Sequence, residues 1–566
     1  MSRTARRRTD KIRKQSSEDR LPSKLHTVFT QAVAHHQALR FTQAEELYQR
    51  ILLTHPQHAD SLHLYGLTLY QRGNTSKAAE LITRAIRSDS MKPHYHFNLG
   101  LVHEKSGQLA KAQSAYQQAL QINPSYIEAH SNLGHILRRQ GKLHEAAQAF
   151  ETIVRMKPES AEAHNNLGVM FKEQRRFNDA ITEYRKALEI SPTHAEAYNN
   201  LGVALKEEGK LEEAASAFRQ ALTSKPHYAK AHYHLGLTLL WQEEMELALD
   251  CFTQSAELTH NHGQPIQHQT TTPARIKHDL EQIDYLQQQN ILQDIPHSYR
   301  DTLYTIQQHM KSQALSSGFI ALNTEDCQHL SPSFNAILHQ GTASVLPGGT
   351  LNPDLDVTTI EAKYHTHKPE IMFLDHLLNT EALSALRKYC LESTIWKRDY
   401  QNGYLGTFLA EGFACPLLLQ IAEELRLRFP GIFKDHLLAQ AWAFKYDSAL
   451  QGLNLHADAA AVNVNFWITP DEANLDKTTG GLTVWDKEAP DDWDFKTYNN
   501  DNNQQNIRNF LAQHQAQSVT VPHRQNRALI FNSNLFHETD ALSFKDEYES
   551  RRINVTLLYG YRQPHQ

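Results

Sequence analysis

The residues best able to do chemistry lie late in the chain, in the stretch "NLHADAAAVNVNFWITP" that begins at Asn454. His456 and Asp458 stand two residues apart at the mouth of a run that alternates like a β-strand. Side chains at i and i+2 of a strand point the same way, so the pair can project into one cavity. Two ligands do not hold a metal, and "IFNSNLFHETD" supplies a third candidate, His537, just past an apolar strand. Two imidazoles and one carboxylate on one face leave three coordination positions open, an arrangement suited to non-haem Fe(II). The same donors bind zinc, so a zinc hydrolase is an alternative. His514 and His523 lie between the proposed ligands. His514 sits in a Gln-rich, helix-like run and His523 follows Pro522, and both read as surface residues. Asp540 reads as a turn residue.

These ligands need rigid elements to aim them. From about Glu370 the pattern becomes mixed: "EIMFLDHLLNTEALSALRKYC" reads as a short strand and then a helix capped at Asn379 or Thr380. "PLLLQIAEELRLRFP" reads as a second amphipathic helix. The strands then come in series, "AQAWAFKYD", "AAVNVNFWIT", "GGLTVWD", "RALIFNS" and "RRINVTLLYGY". Short strands with turn signals, preceded by helices, predict a double-stranded β-helix (jelly-roll) with supporting helices.

The order of these features, with Tyr446 ending the strand before the HxD turn, Gly480–Gly481 opening a strand between the ligands, and "RRINVTLLYG" after the distal His, resembles the HxD…GG…H…R pattern of the 2-oxoglutarate, Fe(II)-dependent oxygenases, near their prolyl-hydroxylase-like branch. The resemblance covers roughly residues 370–566, within an oxygenase domain placed at 366–566. It implies that His456, Asp458 and His537 ligate iron and that an arginine beyond the distal His receives the far carboxylate of 2-oxoglutarate. A guanidinium suits that task because its planar fork meets a carboxylate in two parallel bonds. Two arginines compete. Family members carry a small polar residue two positions beyond the arginine on the same strand face, so Arg552 with Asn554 fits better than Arg551 with Ile553, and Arg551 is expected to face outward in an ion pair. Tyr446 either donates its hydroxyl to the same carboxylate or plugs a barrel end. Asn463, Asn465 and Trp467 share a face and either touch cosubstrate or substrate or bond internally. The reaction implied consumes 2-oxoglutarate and dioxygen, releases succinate and CO2, and hydroxylates a C–H bond. The insertion over residues 486–520 is placed either to cover the reaction or as passive decoration.

The first half of the chain repeats. Gly66, Gly100, Gly134, Gly168, Gly202 and Gly236 recur at intervals of 34 residues. Twelve residues after each stand Ala78, Ala112, Ala146, Ala180, Ala214 and Ala248. Four further on come Ile82, Tyr116, Phe150, Tyr184, Phe218 and Phe252. Ala32, Ala44 and Tyr48 extend the series one unit toward the N-terminus. Pro56, Pro124, Pro158, Pro192 and Pro226 close five units. Two antiparallel helices need a small residue where they cross, a bulky one to fill the groove, and a proline where the second must stop. The pattern resembles the tetratricopeptide repeat, in about seven copies over residues 25–260, which implies an all-α superhelix with a concave, peptide-binding surface. Asn98, Asn132, Asn166 and Asn200 recur in "NLG" on the first helix of each unit. In similar repeats that phase faces the groove, where an amide can donate to and accept from any peptide unit. The alternative is that these asparagines bridge neighbouring helices.

The remainder bounds the function classes. Residues 1–24 read as a basic disordered tail and residues 261–365 as a helical and loop-rich connector. Within it Ile276, Leu280, Ile283 and Leu286 share one helix face as a packing surface bracing the array. At 566 residues, 40% hydrophobic and 21% charged with a net charge of −6, the composition is that of a soluble multidomain protein. Nothing spans a bilayer, and neither the net charge nor the region around the barrel draws nucleic acid. Cys251, Cys327, Cys390 and Cys415 form no CxxC pair, and free thiols without an export signal point to the cytoplasm. The expectation is a dioxygenase that hydroxylates a protein or peptide side chain recruited by the array. The alternatives are a repeat adaptor with a degenerate barrel and a small-molecule oxygenase that uses the repeats for assembly.

Overall fold

Helix follows helix from Ser23 to His260, in fourteen segments of 13 to 16 residues. The computed structural model describes residues 21–260 and 270–561, apart from positions 316, 332, 367, 434, 449–453, 491–492, 494–497 and 500–502. Most of the expected basic tail (residues 1–20) therefore lies outside the described residues, and the first helix, Ser23–Gln37, starts within its last residues. The chain divides into two compact units, 1–208 and 209–566.

In the first unit the 34-residue period is explained by contact. A Cβ placed on Gly100, Gly134 or Gly168 would come within 2.4, 2.7 and 2.6 Å of the rings of Tyr116, Phe150 and Tyr184. Each glycine thus opens the slot that the aromatic sixteen residues later fills, and those aromatics are wholly buried. The turn between paired helices carries a left-handed residue at the same phase in every unit: Leu39, Gly73, Gly107, Gly141, Arg175, Gly209 and Glu243. A second series was not foreseen. His96, His130, His164 and His232 each bond through Nε2 to the carbonyl six residues earlier, at 2.9 to 3.1 Å, and so close the loop that enters the helix.

Between units of the array, contacts run one residue beyond the period. Tyr95 donates to Asp60 at 2.5 Å, Asn98 meets His63 at 2.8 Å, and Asn200 donates to Asn165 at 3.0 Å. Asn132 donates to Tyr116 at 3.4 Å, while Asn166 is half-buried. Three of the four repeating asparagines therefore spend an amide donor inside the array, which is the bridging alternative.

In the second unit the last helices, Ala229–Trp241 and Met245–His260, seat directly on the sheet-rich region. Trp241 Nε1 donates to the Leu438 carbonyl at 2.8 Å and Ser255 Oγ to the Ala410 carbonyl at 3.2 Å. The connector is more ordered than expected. Strands β1 (Thr270–Thr271) and β2 (Ile320–Ala321) pair, and helices form at Pro273–Gln288, His297–Ser312, Thr324–Leu330 and Val357–Thr366. The last of these buries only Ile360 and Tyr364, too few to show as a period. Ile276, Leu280 and Ile283 pack on Leu303 and Ile306 of the next helix. From the same first helix, Gln282 donates to the Leu391 and Ser393 carbonyls at the end of helix Thr380–Glu392. That helix is capped by Asn379, whose side chain accepts from Ala382 N–H at 2.8 Å.

The remaining strands are β3 (Ile371–Leu374), β4 (Arg398–Asp399), β5 (Tyr404–Phe408), β6 (Leu438–Tyr446), β7 (Val462–Trp467), β8 (Leu482–Glu488), β9 (Ser518–Val521), β10 (Ala528–Asn532), β11 (Leu535–Thr539) and β12 (Ile553–Tyr559). They form two antiparallel sheets: a seven-stranded one ordered β3-β10-β7-β12-β6-β5-β4 and a three-stranded one ordered β11-β8-β9. Trp467, Leu529 and Phe531 of the larger sheet meet Leu482, Val484, Val521 and Leu535 of the smaller in one buried cluster. Helices back the larger sheet, where Lys445 Nζ reaches the Cys390 carbonyl and Tyr559 the Ala422 carbonyl. β9 and β11 were not foreseen, being four and five residues long with mixed polarity.

Because each array glycine faces a ring, Gly168→Val should overpack the slot against Tyr184. The expected loss is about 1–3 kcal/mol of stability, read from urea denaturation of the variant beside the wild type.

Candidate metal centre

His456, Asp458 and His537 converge, with one possible ligand atom from each lying within 4.8 Å of the others. Asp458 Oδ2 is 3.4 Å from His537 Nε2, and its Oδ1 is 4.0 Å from His456 Nε2. Donors about 2.1 Å from a shared ion and at right angles would stand about 3 Å apart, so small side-chain shifts close the site. The placement differs in detail from the expectation. His456 lies on no regular strand but in a single antiparallel bridge to His537, and His537, past the apolar strand β10 as expected, is itself inside the short strand β11. The two histidines exchange backbone bonds, at 3.0 Å from His456 N–H and 2.8 Å from His537 N–H, and Asp458 N–H donates to the Ser533 carbonyl at 3.1 Å.

Each imidazole is oriented from behind. His456 Nδ1 bonds the Asn454 carbonyl at 2.7 Å and His537 Nδ1 the Leu535 carbonyl at 3.0 Å. Both Nδ1 atoms carry a proton, so Nε2 of each ring is the atom that faces Asp458 and the one a metal would take. Burial alone would raise the Asp458 pKa. The His537 bond, the nearby His456 and the Asn463 amide outweigh it and lower the pKa, keeping the carboxylate charged. Asn463 Nδ2 donates to Asp458 Oδ2 at 2.8 Å, so one residue of the Asn463–Asn465–Trp467 face supports a proposed ligand. Asn465 bonds internally to Thr556 at 3.0 Å.

Arg552 is buried at the start of β12. Its Nε donates to the Gly480 carbonyl at 2.6 Å, Nη2 to the Gly481 carbonyl at 3.0 Å and Nη1 to Asn554 Oδ1 at 3.3 Å. Its guanidinium lies 4.6 Å from the Tyr446 ring centre and 5.8 Å from that of Trp467. Among the described residues it forms no ion pair with a carboxylate, and burial pushes its pKa down. Tyr446 is buried beside it, its hydroxyl 3.4 Å from Thr539 Oγ1. The glycine pair has a steric reason. Gly480 has φ +84°, and a Cβ on Gly481 would lie 1.7 Å from the Val521 carbonyl oxygen.

Two sequence expectations, for Arg551 and His523, are corrected. Arg551 is ion-paired, but buried rather than outward: its Nε donates to Glu281 at 2.7 Å and its Nη1 lies 3.8 Å from Asp447. His523 is buried rather than superficial, packed between Trp467 and Phe544, and neither ring nitrogen has a hydrogen-bond partner. Asp540 is half-buried, with Oδ2 unpartnered, and its charge acts on Arg552. His514 is exposed, as expected.

A cleft of about 340 Å³ opens onto His456 and Asp458. Tyr400, Tyr404, Phe408 and Phe444 form one wall, with Tyr400 and Tyr404 stacked at 4.3 Å. Arg398 lies over Phe408 and is paired with Glu411. This cleft was not legible, because its lining comes together from β4, β5, β6, the His456 loop and the segment between β8 and β9.

Models of the tetratricopeptide repeat match residues 29–90, 131–195 and 183–215, and a TPR repeat model matches 105–141. These residues form a tetratricopeptide repeat array, a fold that serves protein interaction. Among solved structures, the chain is similar to MamA (24% identity over 28% of this chain and 94% of that one, TM-score 0.27). It is also similar to YrrB, described as a TPR protein with an unusual peptide-binding site (26%, 32% and 95%, TM-score 0.28). A tetratricopeptide repeat protein from Parabacteroides merdae is a third (18%, 43% and 95%, TM-score 0.35). No curated protein matches the sequence. No helix among the described residues is long and apolar enough to cross a membrane.

Two outcomes test this geometry. Gly481→Ala should disrupt the β8–β9 pairing and the seat of Arg552, visible as loss of the cooperative thermal transition of the second unit. Burial, reinforced by the charges of Arg552, Lys477 and Arg527, lowers the His523 pKa to about 3. Unfolded, the group returns to about 6.5, so between these values the unfolded chain binds more protons. Stability should therefore fall as pH drops from about 6.5 toward 3, and His523→Leu should flatten that slope in urea titrations at pH 7 and pH 5.

Proposed function

We propose that the chain is a 2-oxoglutarate- and Fe(II)-dependent dioxygenase that hydroxylates a side chain of a protein or peptide recruited by its repeat array. The observation that carries this reading is the presence of two features in the same sheet-rich region. One is a His2Asp cluster whose imidazoles present Nε2. The other is a buried arginine with no carboxylate partner among the described residues. A buried cation is costly unless an anion meets it, and a dicarboxylate cosubstrate would supply one. Strand order supports a double-stranded β-helix: consecutive strands from β6 onward largely alternate between the two sheets, with the His456 segment bridging to the smaller one.

The donor set fits the group. His456, Asp458 and His537 would hold Fe(II) and leave three positions for cosubstrate and dioxygen. Arg552 would receive the far carboxylate of 2-oxoglutarate, with Tyr446 and Asn554 flanking it. When bound, the iron and the keto acid supply the oxidative step that turns a C–H bond into C–OH. Asn463 holds Asp458 in place, and the aromatic wall, with Tyr404 and Phe444 buried, presents an apolar side to the cleft beside the metal. The exposed face of the array supplies the partner surface. A zinc hydrolase would have no use for a buried, unpaired arginine.

Anaerobic titration with Fe(II) and 2-oxoglutarate should produce the visible charge-transfer band of a chelated keto acid. His456→Ala should abolish it. Arg552→Ala should require at least tenfold more 2-oxoglutarate, in keeping with loss of a charge-assisted pair. Absence of the band, with zinc or no metal by elemental analysis, would refute the assignment.

A further inference from the structure

We infer that Gln504 and Asn499, from the segment between β8 and β9, are positioning residues for the metal ligand His456. The inference rests on the iron reading of the His456–Asp458–His537 cluster. In an antiparallel strand, successive residues turn their N–H and C=O groups to opposite edges. His456 spends its pair on His537, at 3.0 and 2.8 Å. The neighbouring residues Leu455 and Ala457 turn theirs to the other edge, where no further strand follows among the described residues.

Side-chain amides take the place of that strand. Gln504 Oε1 accepts from Leu455 N–H at 3.1 Å, and Gln504 Nε2 donates to the Leu455 carbonyl at 2.8 Å. Asn499 Nδ2 donates to the Ala457 carbonyl at 2.6 Å. A carboxamide reproduces the donor–acceptor pair of a peptide unit, so this is a strand edge built from two side chains. The clamp is itself anchored. Leu455, Ala457, Tyr498, Ile507, Leu511 and Phe536 form one buried cluster that ties helix Gln504–Gln513 to the ligand loop. The insertion is therefore neither passive decoration nor only a cover. It splints His456, whose segment belongs to no strand of either sheet, on the edge opposite His537, and the same two amides line the cleft beside the metal site.

The test is metal affinity of the full chain, read as the electron paramagnetic resonance signal of free Mn(II) during titration in the presence of 2-oxoglutarate. His456→Ala serves as the reference. Gln504→Ala should weaken Mn(II) binding about tenfold or more, the usual cost of losing an outer-shell support. The thermal midpoint of the metal-free protein should move little. Gln504→Glu keeps the acceptor and loses the donor, and it should bind Mn(II) with intermediate affinity, which guards against a variant that merely misfolds. Folded Gln504→Ala and Gln504→Glu that both bind Mn(II) as the wild type does would overturn the inference and leave the iron reading intact. Wild-type protein without Mn(II) binding, or His456→Ala with undiminished binding, would instead overturn the iron reading and the inference together.

Discussion

Two reciprocal backbone hydrogen bonds, between His456 and His537, are the constraint on which the C-terminal half depends. They join two segments far apart in sequence at the point where each contributes an imidazole. With that bridge made, the two rings lie 4.3 Å apart and Asp458 stands beside both. The side chains then follow from the backbone: each Nδ1 finds a carbonyl two residues upstream, and the Nε2 atoms turn toward Asp458. Fixing ligands through main-chain bonds costs little side-chain freedom, because the bonds order the backbone that carries them.

The second dependency is electrostatic. Arg552 is buried against two carbonyls, an amide and two aromatic rings, none of which carries a full negative charge. Its carbonyl partners come from Gly480 and Gly481, which no other residues could replace at that spacing from Val521 and Phe544. Glycine pair and arginine are thus one feature seen from two strands. Arg551, one residue earlier, meets Glu281 and Asp447, so adjacent arginines of like exposure sit in opposite electrostatic settings.

Much of this was legible in the sequence, for identifiable reasons. The array follows from a strict period, because every unit solves the same packing problem with the same glycine and ring. The HxD pair was legible because it is local, and His537 because an apolar run leads into it. What escaped notice depends on partners distant in the chain. Arg551 is buried by Glu281 across a helix that shows no sign of it, and the burial of His523 comes from Trp467 and Phe544 on other segments. Gln504 and Asn499 lie in a polar stretch that reads as solvated until the backbone they grip is seen. The short strands β9 and β11 lack the length for a pattern. The left-handed turn series and the loop-closing histidines were periodic and open to view, yet polar positions draw less attention than apolar ones.

The offset of one residue in the contacts between repeats carries a consequence of its own. Asp60 meets Tyr95 and Asn165 meets Asn200, so each unit offers one face forward and a different face backward. Such an interface is heterologous and does not close on itself, so a stack of these units has two unlike ends and no intrinsic length. In the second unit, helix Met245–His260 is seated against Ala410. Whole modules could then be gained or lost between the ends without redesigning either terminus. The reach of the partner surface is in this sense an evolutionary variable independent of the chemistry at His456.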